Sequence, residues 1–170
     1  EEEKIHDVCN ETGVSLANLN CPGQIVVSGN SDKIEAVCEA AKEAGAKRAI
    51  PLLVAGAYHS PLMQPAQAGL EESLAKVELR EPTVPVYSNV TGQVHAGAET
   101  IAVTMVEQVT SSVKWEACIR AMIADGVTRF IELGPGTALT GFMRRIDRGL
   151  EVHNIADNVS LAKTVEALNT

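Results

Sequence analysis

The segment Leu52-Leu53-Val54-Ala55-Gly56-Ala57-Tyr58-His59-Ser60-Pro61-Leu62-Met63 holds the residues best placed to do chemistry. An apolar run enters a turn of small residues, and the turn delivers His59 followed by Ser60-Pro61. Serine is a preferred N-cap and proline suits the first helical position, so a helix is expected to begin here. His59 then stands just ahead of a helix N-terminus, whose positive end opposes imidazolium. Neutral imidazole is the form that accepts a proton, which is the task of a general base. The residues alone leave a second reading open, with His59 as a structural or merely exposed turn residue.

Other chemistry-bearing residues point to less. His6, His95 and His153 lie in contexts without this logic and read as surface residues. Cys9, Cys21, Cys38 and Cys118 form no C-x-x-C pair and have no clustered histidines, so neither a metal site nor a disulfide framework is expected. Reduced thiols are the default. Gly134-Pro135-Gly136 invites a phosphate-loop reading but fails it, because Leu139 takes the third glycine position and no G-K-[S/T] follows. It reads as a tight strand-to-helix turn. No G-x-S-x-G elbow is present either; Gly29-Asn30-Ser31-Asp32 lacks the second glycine. Arg144, Arg145 and Arg148 form either a contact for an acidic partner or a solvated helix face.

The elements that must position these residues alternate between helix and strand. A helix is expected over residues 2–11, stopped by Gly13, then strands over 14–19 and 24–28 around the turn Asn20-Cys21-Pro22-Gly23. Ser31 or Asp32 is expected to cap a helix with Ile34, Val37, Cys38 and Ala41 on one face, and Gly45 to end it. With a further strand over 48–54, the order is that of a ferredoxin-like lobe without its first strand. Helix 61–77, strand 84–88, the turn 89–92, helices 99–109 and 113–124, strand 128–133, helix 137–146, strand 152–155 and helix 159–168 follow. Such alternation predicts an α/β fold with a largely parallel sheet covered by helices. Pro85 assigns its strand to an edge or a strand start. Residues 1–54 are expected to form the incomplete ferredoxin-like subdomain, and 55–170 part of a larger α/β subdomain.

Composition narrows the class of function. With 22 acidic and 14 basic residues the net charge is -8, which disfavours nucleic-acid binding. Apolar stretches such as Leu52 to Ala57 are far shorter than a membrane span, so no membrane partner is expected. The opening Glu1-Glu2-Glu3-Lys4 is unlike a secretory leader, and a cytoplasmic setting is expected. Aromatic residues make up 3%, so the core must come from Val, Leu, Ile, Ala and Met.

Five segments, in order along the chain, resemble acyltransferases of the malonyl-CoA transacylase type. They are Asn18-Leu19-Asn20-Cys21-Pro22-Gly23-Gln24-Ile25-Val26-Val27-Ser28-Gly29; the run ending Gly56-Ala57-Tyr58-His59-Ser60-Pro61-Leu62-Met63; Pro82-Thr83-Val84-Pro85-Val86-Tyr87-Ser88-Asn89-Val90-Thr91-Gly92; Gln108 ahead of Val113-Lys114-Trp115; and Glu132-Leu133-Gly134-Pro135-Gly136 with Leu139-Thr140-Gly141. The resemblance implies an enzyme that moves malonyl from coenzyme A to the phosphopantetheine thiol of acyl carrier protein in fatty acid biosynthesis. Both thioester carriers would be substrates, and no cofactor is implied.

The resemblance also implies roles for particular residues. A serine takes the malonyl group, His59 activates it, and the main-chain carbonyl of Gln108 orients the ring in place of a carboxylate. Read alone, Gln108 is an ordinary polar helix-face residue near a helix end, where carbonyls lack intrahelical partners. Tyr58 would crowd the space of an α-methyl group and favour malonyl, a discrimination worth about 1–3 kcal/mol per methyl; the other reading is that it simply packs. Asn20 is a candidate contact for the acyl or pantetheine end, or closes an Asx-turn. Cys21 stands where relatives commonly have serine and, with no base beside it, reads as inert. The elbow serine, a carboxylate-clamping arginine and an oxyanion-hole glutamine find no match, so the chain is expected to be a carboxy-terminal portion that needs an amino-terminal half. An acyltransferase piece of a polyketide synthase and a non-catalytic α/β binding module are the alternatives.

Overall fold

The computed structural model describes residues 2–169. These form two compact units, one running through Cys118 and the other starting at Ile119. In the first, helix α1 (Glu2–Thr12) leads through Gly13, at φ 65°, into the antiparallel hairpin of β1 (Ser15–Cys21) and β2 (Gln24–Ser28). The two-residue link Pro22-Gly23 needs a left-handed residue, which Gly23 supplies at φ 73°. Helix α2 (Ile34–Glu43) follows and packs against α1. Val8, Cys9, Val14 and Val37 make the core there, with Ile5, Leu16, Val27, Ala40 and Ala44 packed around it. Each such aliphatic side chain contributes about 1.5–3 kcal/mol when fully buried, so this lobe is held chiefly by one small apolar cluster.

Two helices follow that matter to the site, α3 (Gln64–Leu74) and α4 (Ala98–Gln108). Helix α5 (Trp115–Ala124) begins in the first unit and ends in the second. Residues 112–113 couple this region to β1. Val113 donates its N–H to the Ala17 carbonyl and accepts from the Leu19 N–H, both at 2.8 Å, and the Ser112 hydroxyl donates to the Leu16 carbonyl. These bonds help make one unit of the chain through Cys118.

The second unit is a βαβα arrangement. Strands β3 (Arg129–Leu133) and β4 (Glu151–Ile155) pair in parallel, in register from Arg129 with Glu151 to Leu133 with Ile155. Helix α6 (Ala138–Ile146) makes the crossover, and α7 (Asn158–Leu168) packs against β4. A capping box starts α7: Asp157 accepts from the Ser160 N–H, and the Ser160 hydroxyl accepts from the Asp157 N–H.

Several expected elements differ. Residues 48–54 are not a strand; Ile50, Leu52, Leu53 and Val54 are exposed, and among the described residues no ladder partner is placed beside them. Strand identity depends on a neighbour's N–H and C=O groups, which apolar patterning does not supply. Residues 84–88 likewise form only one bridge, Tyr87 with Val94, because Val86 and Ser88 turn back onto His95 and Gln93. The largely parallel sheet is therefore realised, among the described residues, as the β3–β4 pair alone. Ser31 and Asp32 do not cap α2; they form a 3-10 turn, Ser31–Lys33, ahead of it, and Lys33 stands at the N-cap position without a side-chain capping bond. The helix after Ser60 is also shorter than expected, a 3-10 turn (Pro61–Met63) continuing as α3 and stopping at Leu74.

Candidate active site

His59 is the single non-glycine residue with positive φ among the described residues, at 59°. A side chain in the left-handed region costs roughly 1–2 kcal/mol. The surrounding bonds hold that conformation in place. Ser60 is 1% exposed, donates its hydroxyl to the Ala57 carbonyl at 2.6 Å and accepts the Leu62 N–H at 3.3 Å. Pro61 follows at the first position of the 3-10 turn, and Met63 donates back to the Ser60 carbonyl at 3.0 Å. Ser60 is thus an N-cap, as its place before proline suggests, but its bond back to Ala57 also closes the turn on both sides of His59. Strain of this kind collects at functional sites, where neighbouring contacts over-determine it.

The ring of His59 finds its partner 49 residues away. Nδ1 lies 3.0 Å from the main-chain carbonyl oxygen of Gln108. Gln108 is the last residue of α4, and the chain turns there with the Thr110 and Ser111 N–H groups going to the Glu107 carbonyl. The Gln108 carbonyl consequently has no helical donor and is available to the imidazole. A carbonyl can only accept, so when this bond is made Nδ1 carries the proton and, in the neutral ring, Nε2 is bare, the arrangement a base working through Nε2 requires. The carboxamide of Gln108 folds onto the same turn: Nε2 donates to the Ser111 carbonyl at 3.0 Å and stands 3.3 Å from His59 Nδ1.

Tyr58 is half exposed, and its ring lies over Gly56; a Cβ there would stand 3.7 Å from Tyr58 Cζ and 3.6 Å from Met63 Sδ. The phenol therefore flanks the turn that presents His59. Asn20 is 9% exposed and falls at the irregularity of the hairpin, between the pairs Leu19–Ile25 and Cys21–Gln24. Its neighbour Leu19 bonds to Val113, five residues after Gln108, so β1 and the Gln108 turn are tied by backbone. Cys21 is buried at 2% exposure. Burial pushes the Cys118 thiol up, against a smaller opposing backbone hydrogen bond, and the thiol donates to the Ser88 carbonyl at 3.2 Å. Among the described residues no cysteine is in a disulfide.

The remaining histidines split. His6 is exposed, but His95 and His153 are half-buried rather than surface residues. His95 Nδ1 lies 3.3 Å from the Thr104 hydroxyl, and His153 Nε2 lies 2.8 Å from Glu151 Oε1. Among the described residues no group of three or more His, Cys, Asp or Glu is placed to hold a metal ion, and no helix is long and apolar enough to cross a membrane.

In the second unit, the Gly134-Pro135-Gly136 loop does begin a helix, and the position a phosphate would take is filled from within. Glu132 Oε1 accepts the Leu139 N–H at 3.1 Å, and Oε2 accepts the Thr140 N–H at 2.9 Å and the Thr140 hydroxyl at 2.6 Å. Desolvation pushes this carboxyl up, but the bonds from Thr140, Leu139 and Asn154 outweigh it and hold the group below the ordinary carboxylate range. Sequence reasoning missed this role; the signal available was an acidic residue two positions before a Gly-Pro-Gly turn that opens a helix. Arg144, Arg145 and Arg148 line one open depression of about 460 Å³ with Leu150 and Val152.

The chain matches the acyl transferase domain family over residues 1–166. It belongs to that family. Among curated relatives, the malonyl CoA-acyl carrier protein transacylase of Bacillus subtilis is 43% identical over 168 residues, covering 98% of this chain and 53% of the relative. The Escherichia coli protein of the same name is 36% identical over 170 residues, 98% of this chain and 55% of its own length. The crystal structure of malonyl CoA-acyl carrier protein transacylase from Clostridium perfringens superimposes with a TM-score of 0.95 at 36% identity, over 99% of this chain and 54% of that one. This acyl transferase chain thus spans about half the length of the relatives it matches.

Proposed function

We propose that the chain is part of a malonyl-CoA:acyl-carrier-protein transacylase of fatty acid biosynthesis, with His59 as its general base. The observation that carries this reading is the 3.0 Å contact between His59 Nδ1 and the Gln108 carbonyl, made by a residue in a left-handed conformation. The names of the relatives support the substrate class. In this reading an amino-terminal half supplies the nucleophilic serine, and residues 1–54 belong to a ferredoxin-like lobe whose first strand comes from that half. The exposed apolar run 50–54 supports this, since it lacks a strand to pair with among the described residues.

His59 Nε2 takes the serine hydroxyl proton as Oγ forms its bond to the malonyl thioester carbon. The carbon–sulfur bond then breaks, and the leaving coenzyme A sulfur takes the proton from Nε2. In the second half, the phosphopantetheine thiol gives its proton to Nε2 and attacks the ester carbon; Oγ leaves and recovers the proton. The Gln108 carbonyl accepts from Nδ1–H throughout and is closest to the charge when the ring is imidazolium. Malonyl-CoA and phosphopantetheine enter as substrates, and no step uses a cofactor.

Tyr58, flanking the turn, would restrict bulk beside the acyl group and favour malonyl over its α-methyl homologue. Asn20 would meet the acyl or pantetheine end near the Gln108 turn. Arg144, Arg145 and Arg148 offer positive charge to an acidic carrier protein, and four cysteines outside any disulfide suit the reducing cytoplasm. The test is mass spectrometry after incubation with malonyl-CoA. The 170-residue chain should gain no covalent malonyl group, and the longer protein should gain one, on serine, which holo acyl carrier protein then removes. A stoichiometric adduct on the short chain would overturn the reading.

A further inference from the structure

Two groups of one residue compete for one ring nitrogen. Gln108 offers His59 Nδ1 its main-chain carbonyl at 3.0 Å and its carboxamide Nε2 at 3.3 Å. The carbonyl accepts only, so it bonds to Nδ1 when that nitrogen carries hydrogen. The carboxamide nitrogen donates only, so it bonds to Nδ1 when that nitrogen is bare. The orientation of the carboxamide is not arbitrary. Its nitrogen also faces the Ser111 carbonyl at 3.0 Å, and that acceptor requires N–H rather than C=O on this side. An amide nitrogen has two hydrogens, enough for one to each acceptor. Reversing the amide would set two carbonyl oxygens against each other, so Ser111 fixes the donor toward the imidazole.

We propose that the Gln108 carboxamide is a positioning residue that holds a fraction of His59 in the tautomer with hydrogen on Nε2, against the Nδ1–H tautomer held by the same residue's carbonyl. The inference rests on the reading of His59 as a base. Only the Nδ1–H form can take a proton at Nε2; in the other form Nε2 already carries hydrogen and cannot take one from any hydroxyl, water included. Gln108 thereby sets how much of the protein holds a competent base when no substrate is bound. Both forms are neutral, and they interconvert by moving one proton between ring nitrogens, so no charge is created at rest.

The experiment needs no turnover and so separates this inference from the transacylase reading. The chain is labelled with ¹⁵N in its histidine rings, and two-bond ¹H–¹⁵N correlations are recorded at about pH 9, well above the ordinary histidine range. His59 is assigned by its absence in His59→Gln. In the unsubstituted chain Nδ1 and Nε2 should both show shifts intermediate between the protonated and bare extremes. Gln108→Leu, without a donor, should move Nδ1 to the protonated extreme and Nε2 to the bare one. Gln108→Glu, an acceptor at that pH, should do the same. Backbone amide dispersion like that of the unsubstituted chain checks that each variant is folded. A ring already wholly Nδ1–H in the unsubstituted chain overturns the proposal, and that measurement does not depend on either variant folding. Intermediate shifts that stay put in a folded Gln108→Leu also overturn it.

Discussion

His59 Nδ1 and the Gln108 carbonyl oxygen stand 3.0 Å apart although 49 residues separate them, and the contact joins a strained turn to the open end of a helix. A main-chain acceptor in this place has a consequence for mutagenesis. No side chain has to be kept for the bond to survive, provided the α4 terminus keeps its path.

In the complete enzyme, His59→Ala should therefore reduce kcat/KM by about 10²–10⁴-fold, the range for loss of a general base. Gln108→Ala should lose far less, because it retains the carbonyl. Steady-state transfer of malonyl to acyl carrier protein measures both. A Gln108→Ala variant as crippled as His59→Ala would mean that the side chain, not the carbonyl, orients the ring.

The backbone at residue 59 makes a separate prediction about stability. At φ 59° glycine is free of the Cβ clash that any other side chain meets. His59→Gly and His59→Ala both lose the bond to Gln108, so their difference isolates the conformational cost. We expect His59→Gly to unfold at higher urea than His59→Ala, by about 1 kcal/mol net of glycine's greater freedom in the unfolded chain. Equal midpoints would mean that the turn relaxes once the imidazole is gone.

How far the sequence could be read follows from how local each determinant is. The helix start at Ser60-Pro61, the hairpin with β2 at Gln24–Ser28 and the tight Gly134-Pro135-Gly136 turn depend on adjacent residues, and all three are present. The strands expected over 48–54 and 84–88 depend on partners far away in the chain or outside it, and patterning is silent about those. His59 was legible as a residue at a helix start. Its bond to Gln108 was reached only through family resemblance, since nothing near Gln108 in sequence announces that its carbonyl is free. The left-handed backbone at His59 and the Glu132 cap were not foreseen. Each arises where a turn brings together groups that local propensity treats separately.

Glu132 gives the pH dependence. Its carboxyl is held below the ordinary range when folded, because the hydrogen bonds from Thr140 and Leu139 outweigh desolvation. A depressed folded value means stability that is present above the unfolded pKa of about 4.3 and is lost as pH falls through the folded value. Thermal unfolding followed by circular dichroism should show the loss beginning below about pH 4. Glu132→Gln should lower the midpoint at neutral pH and flatten the acid decline. The effect is about 1 kcal/mol or less, typical of a helix cap in contact with solvent. A variant whose acid decline matches that of the unsubstituted chain would remove Glu132 from the account, leaving Asp157, whose bonds to Ser160 hold it low in the same sense.

The last prediction concerns the apolar run before the site. Ile50, Leu52, Leu53 and Val54 are between 61% and 106% exposed, in a stretch that is neither helix nor strand and that among the described residues has no strand beside it. Unpaired N–H and C=O groups along such a run, flanked by apolar side chains, recruit another chain. The 170-residue chain should therefore self-associate as its concentration rises, seen by size-exclusion chromatography with light scattering. Replacing Leu52 and Leu53 together with lysine should shift it toward monomer, because adjacent residues of an extended segment point to opposite faces and both faces then carry charge. The same pair of substitutions should weaken the longer protein, where the proposed partner strand would meet two lysines instead of two leucines. A short chain that stays monomeric at high concentration, together with a longer protein indifferent to the lysines, would show that residues 50–54 face solvent in both and pair with nothing.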